Sequence, residues 1–149
     1  MSTLWSGRFD QAPDAAAFEW GSSFSFDCRL FEDDVTGSLA WARALAGAGV
    51  LTSEEAAAIQ SVLTSILEEG RANPAFVDGD DEDVHSFVER LLVAQLGDTG
   101  KRLHTGRLRN EQVSLDLRLY LRRRIPALQQ AVAAIVAALT EQARRAGMR

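Results

Sequence analysis

Apolar residues along this chain recur three and four positions apart, and no stretch alternates as a half-buried strand does. The pattern predicts helices nearly throughout. A short one starts near Pro13, with Asp14 in its first turn, and stops near Gly21. A second covers about 28–46, with Leu30, Val35, Leu39, Ala42 and Leu45 as its stripe; Gly47 and Gly49 end it. The third has the clearest start. Thr52-Ser53-Glu54-Glu55 is a capping box, and Leu51 and Ala56 stand where a hydrophobic staple would. Ile59, Val62, Leu63, Ile66 and Leu67 form its face, and Gly70 and Pro74 close it. A fourth helix, about 81–96, carries Val84, Phe87, Val88, Leu91, Leu92 and Leu96. The acidic loop before it, "DGDDED" at 78–83, is expected to place carboxylates in its first turn, against the positive end of the dipole.

The last element runs from about Arg109 to Ala146. Val113, Leu117, Leu121, Leu128, Val132, Ile135 and Leu139 follow helical spacing, and Leu115, Leu119, Ile125 and Val136 extend the apolar surface to other faces. Pro126 removes one backbone hydrogen bond and is expected to bend this helix rather than end it. At ~1.5 Å per residue it would run about 55 Å. The preceding helices are too short to cover it, so much of it should pack on other chains or on further polypeptide. The fold class is all-α.

Composition narrows the class. The 149 residues suffice for one domain with a core, and 46% hydrophobic with 25% charged residues is ordinary for a soluble protein. The single Cys28 excludes an internal disulfide framework and suits a reducing compartment. "MSTLWSGRFD" has no basic stretch leading into an apolar one, so no signal peptide is expected, and no 18-residue apolar run spans a membrane. These features point to the cytoplasm.

Charge is segregated along the chain. Residues 1–100 hold 5 Lys+Arg against 18 Asp+Glu, and residues 101–149 hold 11 against 3. The basic segment lacks the interleaved aromatics of a single-strand binder, and Arg122–Arg124 reads as a solvated helix face. The two segments are therefore expected to pack on each other or on a second subunit; no nucleic acid is expected.

The densest cations lie in "GKRLHTGRLRNEQ", 100–112. Gly100 and Gly106 punctuate a loop, and Thr105 or Asn110 could cap the helix that follows. A helix N-terminus with a hydroxyl and several arginines is a physical anion site, suited to a carboxylate or phosphate. The alternative is a solvated basic loop docked on the acidic segment 78–83. His85 and Glu89, four apart, could pair on one helix face. No H-E-x-x-H order or cysteine cluster supports zinc, and "DGDDED" lacks the spacing of a calcium loop, so no metal is expected. No nucleophile has a local base; Ser22 and Ser23 read as loop or cap residues.

Several stretches together resemble a known family. "HTGRLRNEQVSLDLRLYLR" at 104–122 is similar to the first shared region of argininosuccinate lyases, usually H-T-G-R-S-R-N-[DE]-Q-V followed by D-L-R-L. "LWSGRF" at 4–9, "SFSFD" at 23–27, "DVTGS" at 34–38 and "EDVHSFVE" at 82–89 agree in order. The resemblance implies an all-α enzyme of the fumarase/aspartase superfamily, a homotetramer with a central bundle of long helices and active sites shared by three subunits. It divides the chain into an N-terminal helical domain, 1–108, and the start of a central-bundle helix, 109–149. The implied reaction is reversible β-elimination of fumarate from argininosuccinate, releasing arginine, without metal or organic cofactor. By the same resemblance Ser23 and Asn110 match substrate-contacting residues, and Arg109, Thr105 and His85 match neighbours lining the site.

Two departures stand out. Leu108 replaces the family serine between two arginines and cannot donate a hydrogen bond; losing a donor to an anion costs about 1.5–3 kcal/mol. Trp41 stands where many bacterial members have histidine, read as a packing variation. The family's second and third shared regions, G-Y-T-H-L-Q and G-S-S-x-M-P-x-K-x-N, do not occur among these residues. No catalytic acid or base is thus expected here, and the chain alone is expected to show no turnover. Alternatives are a non-catalytic helical assembly protein related to the lyase, and another superfamily lyase such as adenylosuccinate lyase; "HTGRLRN" argues against the second.

Overall fold

The computed structural model describes residues 14–147, and within them every regular element is helical. In chain order these are α1 (Ala15–Gly21), α2 (Phe24–Asp27), α3 (Phe31–Gly47), α4 (Ser53–Ala72), α5 (Val84–Leu96), α6 (Asp98–Lys101) and α7 (Arg109–Arg145). Single 3-10 turns stand at Cys28–Leu30, Pro74–Phe76 and Arg102–His104. The expected start at Pro13 and the stretch "LWSGRF" lie outside the described residues. Asp14 caps α1, its carboxylate accepting from the Ala17 N–H at 3.0 Å.

The capping box at Thr52 forms as read. The Thr52 hydroxyl accepts from the Glu55 N–H at 3.2 Å, and the Glu55 carboxylate accepts from the Thr52 N–H at 2.9 Å. Two expected boundaries move. The second helix begins as a 3-10 turn and becomes α-helical only at Phe31. The fourth begins at Val84, not 81, because Asp83 takes the cap position and accepts from the Ser86 N–H at 2.7 Å. Its first turn accordingly contains no carboxylate. Asp81, expected near that turn, is instead held by Arg90 at 2.7 Å.

Helices α3, α4 and α5 enclose the core. The predicted stripes turn inward: Val35, Ala42 and Leu45 from α3, Ile59, Leu63, Ile66 and Leu67 from α4, Val84, Phe87, Val88 and Leu92 from α5. Each fully buried large side chain contributes about 1.5–3 kcal/mol relative to exposure. Phe87 joins the layers, its ring 5.3 Å from Phe24, 6.1 Å from Phe31 and 6.0 Å from Phe76.

Helix α7 behaves differently. It continues through Pro126 for 37 residues, on the order of 55 Å. The only buried residues along it are Gln112 and Asp116. Its apolar stripe faces outward: Val113, Leu117, Leu121, Leu128, Val132, Ile135 and Leu139 are all exposed. The polar side is the one that meets the rest of the chain. Arg123 pairs with Asp33 at 2.7 Å and Arg109 with Asp83 at 3.4 Å, and Arg102, in the 3-10 turn before the helix, pairs with Glu55. The acidic and basic segments thus pack on each other, which explains why charge is segregated along the sequence.

Candidate functional site

Two polar constellations form where α3, α5 and α7 meet. The first is built on the start of α5. The Ser23 N–H donates to the Glu82 carbonyl at 2.8 Å, and its hydroxyl donates to Asp27 Oδ2 at 2.5 Å. Asp27 Oδ1 in turn accepts from the Val84 N–H at 3.0 Å. Burial pushes the Asp27 carboxyl above its ordinary value, against the lowering effect of the Ser23 hydroxyl and the Val84 amide. From the other side, Arg109 reaches the same turn, donating to Ser86 Oγ at 3.4 Å and lying 3.4 Å from Asp83. Its NH1 is buried without a hydrogen-bond partner. Ser23 and Arg109, 86 positions apart in sequence, therefore both lock onto residues 82–86.

The second constellation is wholly internal. His85 Nδ1 lies 2.8 Å from Asp34 Oδ1 and 3.4 Å from Asp116 Oδ2, and the side chains are 2%, 1% and 0% exposed respectively. The Gln112 amide donates to the same Asp34 oxygen at 3.4 Å. Arg107 enters from the turn before α7 and donates to the Ser38 hydroxyl at 2.8 Å. Burial lowers its guanidinium from the ordinary value, opposed by the nearby Asp34 and Asp116. Burial raises Asp116 to about 8, helped by the negative charge of Asp34 beside it. Gly37 allows this approach: a Cβ there would come within 3.0 Å of Leu115 and 3.5 Å of both Arg107 and Asp116. The expected His85–Glu89 pair does not form. Helix α5 turns His85 inward to α3 and α7, while Glu89 lies 3.5 Å from His104.

Thr105 and Asn110 are exposed, and neither caps α7. Gly106, at φ +67°, makes the left-handed turn that a side chain would disfavour and delivers the chain to Leu108 at the cap position. Leucine has no acceptor there. The only side-chain help at this helix start is Glu111, which accepts from the Leu108 N–H at 3.4 Å. The basic loop does not dock as a unit on residues 78–83. Lys101 pairs with Asp98, Arg102 with Glu55, and Arg107 enters the buried cluster; Arg109 alone of these reaches the acidic segment.

A cavity of about 20 Å³ lies between α3, α5 and the turn at 100–107, lined by Asp34, Ser38, His85, Glu89, His104 and Arg107 among others. That is room for a water, not for a dicarboxylate. The donor atoms of Asp34, His85 and Asp116 lie within 4.8 Å of one another, the spacing of a possible cation site. Direct contact between His85 and Asp34, with a guanidinium adjacent, leaves that set better suited to protons than to a metal ion. Sequence reading missed Asp34, Asp116, Arg107 and Gln112. A signal existed: Gln112 and Asp116 are four apart on α7, and Asp34 adjoins the buried Val35.

Residues 7–146 match the family model described as Lyase. The chain belongs to the lyase family. It is 43% identical over 145 residues to the argininosuccinate lyase of Desulforudis audaxviator (strain MP104C), a match that covers 97% of this chain and 32% of that relative. The chain thus spans about a third of that lyase's length. No helix among the described residues is long and apolar enough to cross a membrane.

Proposed function

We propose that this chain is the N-terminal portion of an argininosuccinate lyase, contributing one wall of a cytoplasmic active site that cleaves argininosuccinate to arginine and fumarate. The observation that carries the reading is the 43% identity sustained over nearly the whole chain. In β-elimination a base removes a proton beside a carboxylate, and the resulting dianion needs pre-aimed cations and donors. Arg109, held at the start of α5 by Asp83 and Ser86, and Ser23, fixed to the same turn through Glu82, are the residues of this chain that would supply such groups. Asn110 and Thr105 stand exposed at the mouth of α7, free to meet a ligand. His85 acts behind them as a buried orienting group rather than as a substrate contact. The acid and base of the reaction lie outside these 149 residues, as do the other walls of the site. The outward apolar stripe of α7 supports a homotetramer in which residues from 109 onward belong to a central helical bundle, while 1–108 form the outer helical domain.

A fumarate-release assay on the chain alone, supplied with argininosuccinate, is expected to show no turnover; clear activity would defeat the proposal. The exposed stripe also favours a second reading, a helical assembly protein without catalysis. Argininosuccinate or fumarate should raise the chain's thermal midpoint if the site wall is real. No shift, with self-association intact, would favour the assembly reading.

A further inference from the structure

The buried cluster between α3, α5 and α7 holds two carboxylates against one fixed cation, and its donors are unequally placed. Two carboxylates, Asp34 and Asp116, face one guanidinium, Arg107, with neither carboxylate reaching water. Their donors are unequally shared. Asp34 Oδ1 is met by His85 Nδ1 at 2.8 Å and by the Gln112 amide at 3.4 Å. Both oxygens of Asp116 are buried with no hydrogen-bond partner. His85 turns the same Nδ1 toward both carboxylates and sits closer to Asp34, at 2.8 Å against 3.4 Å to Asp116. An ionised Asp116 would therefore be a buried anion without a donor, a state that carboxyl groups avoid by binding a proton. A protonated Asp116 can instead donate to the Asp34 carboxylate beside it.

We infer that Asp34 and Asp116 share one proton at neutral pH, held on Asp116, and that this proton is the clasp between α7 and the α3–α5 pair. The groups facing it are Asp33 and Asp34 from α3, His85 from α5 and Arg107 from the preceding turn, with Glu89 and Arg109 behind Arg107. Of these, only Arg107 is a fixed cation close enough to oppose proton binding. The inference does not rest on the lyase reading, since it concerns how the helices are joined.

The sign follows from linkage. A carboxyl whose folded value is raised binds its proton in the native state after the unfolded chain has lost it. Stability is then fully present below the unfolded value near 4 and declines as pH rises, until it levels near 8. The experiment is equilibrium urea unfolding of the 149-residue chain and its Asp116→Asn variant between pH 5 and 9. Asn keeps the donor to Asp34 and removes the titration. The wild-type unfolding constant, relative to the variant's, should rise by up to about tenfold per pH unit and level near pH 8. A ratio that stays constant across the range overturns the inference. Should the variant fail to fold, infrared spectra of the wild type decide: the carbonyl band of a buried carboxylic acid should be present at pH 7 and lost above pH 9. Its absence at pH 7 refutes the shared proton. One equivalent of zinc should leave the wild-type midpoint unmoved; a rise that Asp116→Asn abolishes would show a cation site instead.

Discussion

Helices α4 and α7 carry the same kind of apolar stripe and meet opposite fates. In α4, Ile59, Leu63, Ile66 and Leu67 point into the core, with Ile59 and Leu63 at 0% exposure. In α7, Leu128, Ile135 and Leu139 stand 64%, 61% and 64% exposed, and the helix touches its own chain through Gln112, Asp116 and Arg123. Helical periodicity specifies that a face exists. It does not specify what covers that face. The lesson is that a helix can be attached to its own chain by its polar side while its apolar side is left outward.

Matched truncations put the largest effect on this contrast. Leu63→Ala should destabilise the chain by about 2–5 kcal/mol in urea unfolding, through lost burial and a cavity. Leu128→Ala should change monomer stability by less than about 0.5 kcal/mol. The same Leu128→Ala should weaken self-association, read by sedimentation equilibrium. If Leu128→Ala destabilised a dilute monomer as much as Leu63→Ala, the outward stripe would be covered within one chain and the comparison would fail.

The polar attachment of α7 gives the next largest effect. Asp34→Ala removes the acceptor of His85 and Gln112 and should cost about 2–3 kcal/mol, with amide exchange near residues 109–120 accelerating more than in α4. Uniform acceleration across both helices would mean that the cluster supports the whole domain rather than the junction with α7.

The smallest change concerns how α7 begins. Leu108 already has extended cap geometry, φ −102° and ψ 141°, but no acceptor. Leu108→Ser supplies one for the Glu111 N–H and should stabilise by about 1 kcal/mol, visible as a raised urea midpoint. Under the proposed function it also restores a donor to the anionic ligand. A gain in ligand binding without a gain in stability would separate the two roles.

Much of this was legible beforehand. The capping box at Thr52, the core faces of α3 to α5 and the continuous helix through Pro126 follow from local pattern, and the exposure of the α7 stripe from the shortness of the helices before it. The starts of α3 and α5 shifted by about three residues, since a 3-10 turn and the use of Asp83 as cap depend on what the loop packs against. The candidate site was legible only by its ends. Ser23 and Arg109 are joined on residues 82–86, whereas His85 pairs with Asp34 and not with Glu89. Four-residue spacing permits a helical pair, but a buried imidazole takes whichever acceptor the neighbouring helices bring.

The sequence by itself determined that the chain is helical, where its apolar faces lie and which residues cap its clearest helix. These depend on contacts within a few residues, which spacing encodes directly. Only the tertiary structure decided that Asp34, His85, Arg107 and Asp116 meet out of water. Their charges interact strongly because three elements, distant along the chain, exclude solvent around them together.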